Sequence, residues 1–126
     1  MTGSKFLDSS AWLAYFYAEN NEIKSIVESS IILLTSSISL FEVKNKLIKD
    51  KTEDIKAQNS INFIKERSLI IDVGAEIAEE SVDIAKKHKL PVIGSLIYVS
   101  SLKNNSELIT LDNDFSGLNN VKILKN

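Results

Sequence analysis

Short apolar runs alternate with paired helical patterns along the whole chain, and this alternation limits the fold more than any other feature. Lys5-Phe6-Leu7, Ile31-Ile32-Leu33-Leu34, Leu69-Ile70-Ile71, Leu108-Ile109-Thr110-Leu111 and Val121-Lys122-Ile123-Leu124 read as short buried strands. Helical spacing covers Ala11 to Tyr17, Asn20 or Asn21 to about Ser29, Ser39 to about Lys49, Thr52 to Arg67, Ala75 to His88, and Gly94 to Lys103. The order is therefore β-α-α-β-α-α-β-α-α-β-β. Strands separated by helices imply a mostly parallel sheet with helices on both faces, a three-layer α/β/α sandwich. A length of 126 residues suits a single domain over 1–126, without internal repeat or linker.

Local signals mark the element ends. Ser9 and Ser10 are expected to cap the first helix, and Asn20 or Asn21 the second. Ser39-Leu40-Phe41-Glu42 fits the capping box Ser-x-x-Glu, which gives Glu42 a purely structural reason. Ile77, Ala78, Val82 and Ala85 share one face of the fifth helix, and Leu90-Pro91 separates that helix from the sixth. Trp12, Leu13, Tyr15 and Phe16 read as core rather than as a platform for bases. His88 suits a helix C-terminus, and Arg67, the single arginine, ends the fourth helix.

Composition removes several chemistries. With no cysteine, neither a disulfide framework nor a thiolate metal site is possible. A formal net charge of −2 gives no strong overall positive field, so RNA binding would need a local basic patch or metal ions. The clusters Lys44, Lys46, Lys49, Lys51 and Lys86, Lys87, Lys89 read as solvated helix faces. No apolar run approaches the roughly 18 residues of a membrane span, and Met1 to Lys5 lacks a signal-peptide pattern. The expectation is a soluble, cytoplasmic protein with no membrane partner.

Acids stand at the strand ends. Asp8 follows the first strand, Glu42 lies one turn into the helix after the second, and Asp112 and Asp114 follow the fourth. A parallel sheet gathers the carboxyl ends of its strands at one edge, where ligands bind. Asp112-Asn113-Asp114 also suits a plain polar turn, and Asp72 follows a strand without a comparable flank. Converging carboxylates repel one another and raise each other's pKa unless a cation compensates. Oxygen donors with no cysteine and no well-placed histidine favour Mg²⁺ or Mn²⁺ over zinc. Such an ion activates water and neutralises charge on a phosphoryl oxygen.

The chain resembles the PIN domain, and within it the VapC-like toxins of prokaryotic type II toxin–antitoxin pairs. Phe6-Leu7-Asp8-Ser9-Ser10-Ala11 looks like that family's first motif, Ser37-Ile38-Ser39-Leu40-Phe41-Glu42-Val43 its second, and Leu108-Ile109-Thr110-Leu111-Asp112-Asn113-Asp114-Phe115 its last. The resemblance implies a metal-dependent endoribonuclease using Mg²⁺ or Mn²⁺. Asp8, Glu42 and Asp112 would hold one or two divalent ions directly or through water, Asp114 would be an accessory acid, and Ser10 and Thr110 would support the carboxylates. It also implies RNA as substrate, a cognate antitoxin protein as partner, and a homodimer. Ala11 to Tyr17 and Ile26 to Ile32 are expected at the dimer contact, being richer in apolar residues than one core face needs.

One departure stands out. The third motif normally opens with aspartate, and here it reads Gly94-Ser95-Leu96-Ile97-Tyr98. A replacement made to render a toxic chain expressible and a natural loss of activity both give that sequence. The alternative reading is a non-catalytic PIN module that binds RNA or a protein. A phosphoacceptor receiver domain fits poorly, since it needs paired acids after the first strand, where Ser9 and Ser10 follow Asp8.

Overall fold

A computed structural model describes residues 3–125; residues 1, 2 and 126, which the sequence reading assigns to the same domain, lie outside it. Five strands, β1 (Lys5–Leu7), β2 (Leu33–Ser36), β3 (Ser68–Ile71), β4 (Glu107–Thr110) and β5 (Val121–Ile123), form one sheet in the order β3-β2-β1-β4-β5. Every pairing is parallel. The helices are α1 (Ser9–Phe16), α2 (Asn21–Val27), α3 (Ser37–Lys49), α4 (Asp54–Arg67), α5 (Ala75–His88) and α6 (Val92–Lys103). The order of elements matches the expected one, with one added turn of 3-10 helix at Asn113–Phe115.

Successive strand residues point to opposite faces, and this splits the core in two. Leu7, Leu33 and Ile109 pack with Trp12, Ile23, Val43, Leu47, Ala57, Ile61 and Ile64 from α1 to α4. Their neighbours Phe6, Leu34 and Leu108 pack with Leu90, Ile97, Tyr98 and Phe115 on the other face, where Ile84 of α5 also rests. The result is the expected three-layer sandwich. Trp12 is wholly buried and donates its indole N–H to Thr35 Oγ1 (3.1 Å), while Thr35 donates to the carbonyl of Leu7 (2.6 Å). Tyr15 and Phe16 pack against Phe63, so the aromatic group of α1 is core.

Several boundaries differ from expectation for physical reasons. Helix α1 is capped by Asp8, whose carboxylate accepts from Ala11 N–H (3.0 Å), and not by Ser9 or Ser10. Helix α3 begins two residues early because Ser36 Oγ accepts from Ile38 N–H (3.1 Å). Ser39 is then the third helical residue, and the capping box does not form. Helix α6 begins at Val92 directly after Pro91, which makes Gly94 its third residue. On α5, Ala78 and Val82 face solvent, Val82 being 53% exposed. Ser81 is buried in their stead, donating to the carbonyls of Ile77 and Ser95. A small residue there brings α5 close to α6.

The apolar content of the expected dimer segments goes largely into the chain's own core. Ala11, Trp12, Ala14 and Val27 are buried, and only Tyr17 and Ile32 among the large apolar residues of those stretches are well exposed.

Arg67 ends α4 as expected and leads straight into β3. Its guanidinium donates to the carbonyls of Val27 (2.7 Å), Ser29 (3.1 Å) and Ile31 (2.9 Å), which fixes the loop between α2 and β2. Hydrogen bonds from a charged donor are the stronger kind. Arg67→Ala should therefore cost about 2 kcal/mol in urea unfolding. Arg67→Lys should lose most of the same amount, because an ammonium cannot present the planar fork. An Arg67→Lys protein as stable as the parent would refute this role.

Candidate active site

The strand order reverses direction between β1 and β4, and such a switch point opens a crevice at the carboxyl ends of the strands. The sequence acids meet there. A cleft of about 220 Å³ is lined by Asp8, Ser9, Glu42, Asp112 and Asp114 on one side. Pro91, Ile93, Gly94, Ile97 and Phe115 line the rest.

Each acid is carried by a different local device. Asp8 is the residue after β1 and the N-cap of α1, so one carboxylate both ends a strand and starts a helix. It is 6% exposed. Its Oδ1 accepts from Ser10 Oγ (2.7 Å) and Ala11 N–H (3.0 Å), and its Oδ2 from Thr110 Oγ1 (2.5 Å). The two hydroxyls also bind the β4 end: Ser10 Oγ accepts from Leu111 N–H (2.9 Å) and Thr110 Oγ1 from Asp112 N–H (3.0 Å). Ser10 and Thr110 thus join the two strand ends around Asp8. Asp112 caps the 3-10 turn by accepting from Asp114 N–H (2.9 Å). Gly117 (φ +82°) then lets the chain turn back toward β5. Glu42 projects from α3, half-buried. Asp72 and His88 do not line the cleft.

Burial pushes the Asp8 carboxyl above its ordinary range, the hydrogen bonds from Thr110, Ser10 and Ala11 oppose this, and the charge of Asp112 adds to it. Among the described residues, no lysine, arginine or histidine lines the cleft to offset the gathered negative charge.

The chemistry of the donors suits a hard cation: carboxylate oxygens, with no sulfur or imidazole. Among the described residues no three acidic or histidine side chains form a ready-made metal cage. An ion bound here would take at most one or two carboxylates directly and keep its waters, as Mg²⁺ does elsewhere.

Gly94 borders the same cleft. Its backbone does not require glycine, since its φ is not positive. A Cβ there would meet Phe115 Cζ at 3.5 Å and Pro91 Cδ at 3.7 Å, ordinary contact distances.

The apolar part of the cleft carries little signal in the sequence: Ile97 reads as any core helix residue, and Ile93 precedes the helix expected from Gly94. Pro91 stands out there only as a helix separator and Phe115 only as the end of the last motif.

No curated protein sequence matches the chain. Among solved structures, a toxin–antitoxin complex from Klebsiella pneumoniae is 24% identical, covers 94% of this chain and 95% of its own, and superposes with a TM-score of 0.75. VapC20 of Mycobacterium tuberculosis, described as a toxin that cleaves the sarcin–ricin loop, is 18% identical over 90% of this chain and 94% of its own, with a TM-score of 0.72. VapBC2 from Rickettsia felis, bound to a DNA fragment from its promoter, is 17% identical over 97% and 99%, with a TM-score of 0.77. At these identities the likeness is one of fold. The PIN domain family model matches residues 5–120, nearly the whole of the sheet and all six helices, and the chain belongs to the PIN domain family.

Proposed function

We propose that this chain is an endoribonuclease of the VapC toxin type, dependent on Mg²⁺ or Mn²⁺ and weakened by Gly94. The observation that carries the proposal is a cleft with four acids and no cationic side chain among its lining residues, at the switch point of a parallel sheet. Asp8, Glu42 and Asp112 would hold one or two ions directly or through water, and Asp114 would act as accessory acid. A divalent ion held by them would make a bound water nucleophilic and offset charge on the scissile phosphate. The chain's own contribution is placement. Asp8 is held by three donors, with Ser10 and Thr110 fixing both oxygens. Asp112 is held by its role as a cap. Pro91, Ile93, Ile97 and Phe115 supply the apolar part of the lining, of which Ile97 and Phe115 are buried. RNA as substrate is supported by the described activity of the Mycobacterium toxin. The test is cleavage of a structured RNA by this chain and its Gly94→Asp variant in Mg²⁺, Mn²⁺ or EDTA.

A second reading is a PIN module that binds RNA or a protein without cutting. Gly94 favours it, because the cleft lacks the acid that the third motif carries. Binding of RNA without EDTA-sensitive cleavage, in the parent and in Gly94→Asp alike, would favour this reading.

A cognate antitoxin and a second copy of the chain are the proposed partners. The toxin–antitoxin complexes among the similar folds support the first. The exposed apolar residues Phe41, Ile48 and Ile55 on α3 and α4, and Val82, Val92 and Ile93 on α5 and α6, offer contact surface for either. A two-fold dimer is the commonest closed assembly. Light scattering should read twice the 14.0 kDa chain mass. A monomer at high micromolar concentration would remove the homodimer.

A further inference from the structure

The cleft gathers acids with no basic side chain in its lining, so a phosphate backbone brought to it must be held from outside. Several bases are already engaged. Lys5, Lys24, Lys46, Lys103 and Lys122 pair with acids, and Arg67 holds backbone carbonyls. Lys86, Lys87 and Lys89 are exposed and pair with no acid among the described residues. They stand at the end of α5 and lead into Pro91, which lines the cleft. Lys89 is two residues before Pro91, so their backbones are at most about 7 Å apart. Lys49, also unpaired, lies about 10 Å along α3 from the cleft residue Glu42. Helix polarity explains part of the pattern, since bases in a last turn suit the helix dipole. Lys103 takes Glu76 and Glu80 at the other end of α5, and Asp83 makes no ion pair with Lys87 one turn on. His88 packs edge-on against the Tyr98 ring (centroids 6.4 Å). Polarity does not explain Lys89, which follows the helix at φ +55°, in the left-handed region that favours glycine. Strain kept beside a site points to function. Lys51 shares that conformation (φ +67°) past the far end of α3, and provides the natural control.

We propose that Lys86, Lys87 and Lys89 form a rim that holds the RNA backbone and leads it into the cleft. The proposal rests on the reading of RNA as the ligand and holds whether or not the chain cuts it. Compact ammonium charges grip phosphates without regard to sequence. Their place outside the cleft matters, because a lysine among the acids would pair with them and oppose a divalent ion. RNA is favoured over an acidic protein because phosphates suit both the lysines and the ion-binding acids beside them.

The test is binding of a labelled RNA hairpin with a single-stranded loop, read by fluorescence anisotropy from about 50 to about 200 mM salt. It is run in EDTA, and again with Ca²⁺, which offsets the acids of the cleft. The proteins are the parent, Lys86→Gln/Lys87→Gln/Lys89→Gln, and the control Lys49→Gln/Lys51→Gln/Lys56→Gln, whose lysines are also exposed and without an acid partner. Both sets remove the same charge, so they share any effect of net charge. Each phosphate contact on a single strand adds about 0.7 to the slope of log affinity against log salt. Over this range the parent should therefore lose roughly 20-fold more affinity than the rim variant, and about as much as the control. Lys89→Gly alone should bind RNA more weakly yet melt at a higher temperature than the parent, since glycine suits that backbone. A rim variant with the salt slope of the parent, or a control with an equal loss, would overturn the rim and leave RNA as the ligand. Displacement of the RNA by polyglutamate as readily as by unlabelled RNA would overturn RNA as the occupant in favour of an acidic protein. A parent that binds no RNA in either EDTA or Ca²⁺ would overturn RNA as the ligand, and the rim with it.

Discussion

Gly94→Asp should raise RNA cleavage by on the order of 100-fold, the scale on which a lost positioning interaction costs rate. The substitution adds a carboxylate beside the apolar lining residues Pro91, Ile93 and Ile97. A Cβ there has room, touching Phe115 and Pro91 at ordinary distances, and the position borders the open cleft. It also stands in the first turn of α6, where the helix dipole favours an acid. Glycine inside a helix is less favourable than most residues, so the fold should not suffer. The restored activity should need Mg²⁺ or Mn²⁺, vanish in EDTA, and be lost again in Gly94→Asp/Asp112→Asn. Cleavage by the parent as fast as by Gly94→Asp would show that position 94 does not hold the missing acid. Failure of Gly94→Asp to cut any RNA in an EDTA-sensitive way would move the binding module ahead.

Asp8→Asn should do two opposite things: abolish the activity gained by Gly94→Asp, and make the metal-free protein more stable. Burial holds the Asp8 carboxyl above the ordinary range. A group with a higher pKa in the folded than in the unfolded chain stabilises the fold in its protonated form. That contribution is complete below the unfolded value, about 3.9, and is lost as pH rises through the raised one. At pH 8 in EDTA, well above the unfolded value, burying Asp8 therefore costs the fold stability. Asparagine removes the charge and keeps an oxygen for the Ala11 N–H. The variant should melt a few degrees higher than the parent at pH 8, and the gap should close as the pH falls toward 4. Mn²⁺ should raise the melting temperature of the parent and leave the variant unmoved. A variant that melts below the parent in EDTA at pH 8 would mean that the hydrogen bonds to Asp8 outweigh its burial. Such a trade between stability and function is common where like charges are gathered for chemistry.

The parallel sheet is legible in the sequence because its signal is repeated. Five short apolar runs and six helical stretches all give the same order, and small errors at the ends do not disturb it. The ends themselves are not legible where two capping residues compete. Ser36 and Ser39 are both reasonable caps, and only the register of β2 against β1, ending with Thr35 opposite Leu7, leaves Ser36 free to act. The buried face of α5 is hidden for a similar reason. Val82 is apolar and Ser81 polar, yet the close approach of α6 favours the smaller side chain. In the cleft, the acids are legible from a topological rule: residues after parallel strands share an edge. The supporting part of Ser10 and Thr110 comes from family resemblance, and the network that links β1 to β4 emerges only in three dimensions. Ser39 is visible in sequence only as half of a capping box that does not form.

The clamp formed by Arg67 has a consequence for molecular recognition. This chain has one guanidinium, and three backbone carbonyls already occupy it. Forked, two-point pairing with a phosphate or with the edge of guanine is the speciality of arginine. Every other permanently charged basic side chain here is a lysine, a compact charge with no fixed direction. A polyanion that binds this surface meets compact lysine charges in place of a fork, and telling one base from another falls to neutral hydrogen-bonding side chains and to the contour of the groove it lies in.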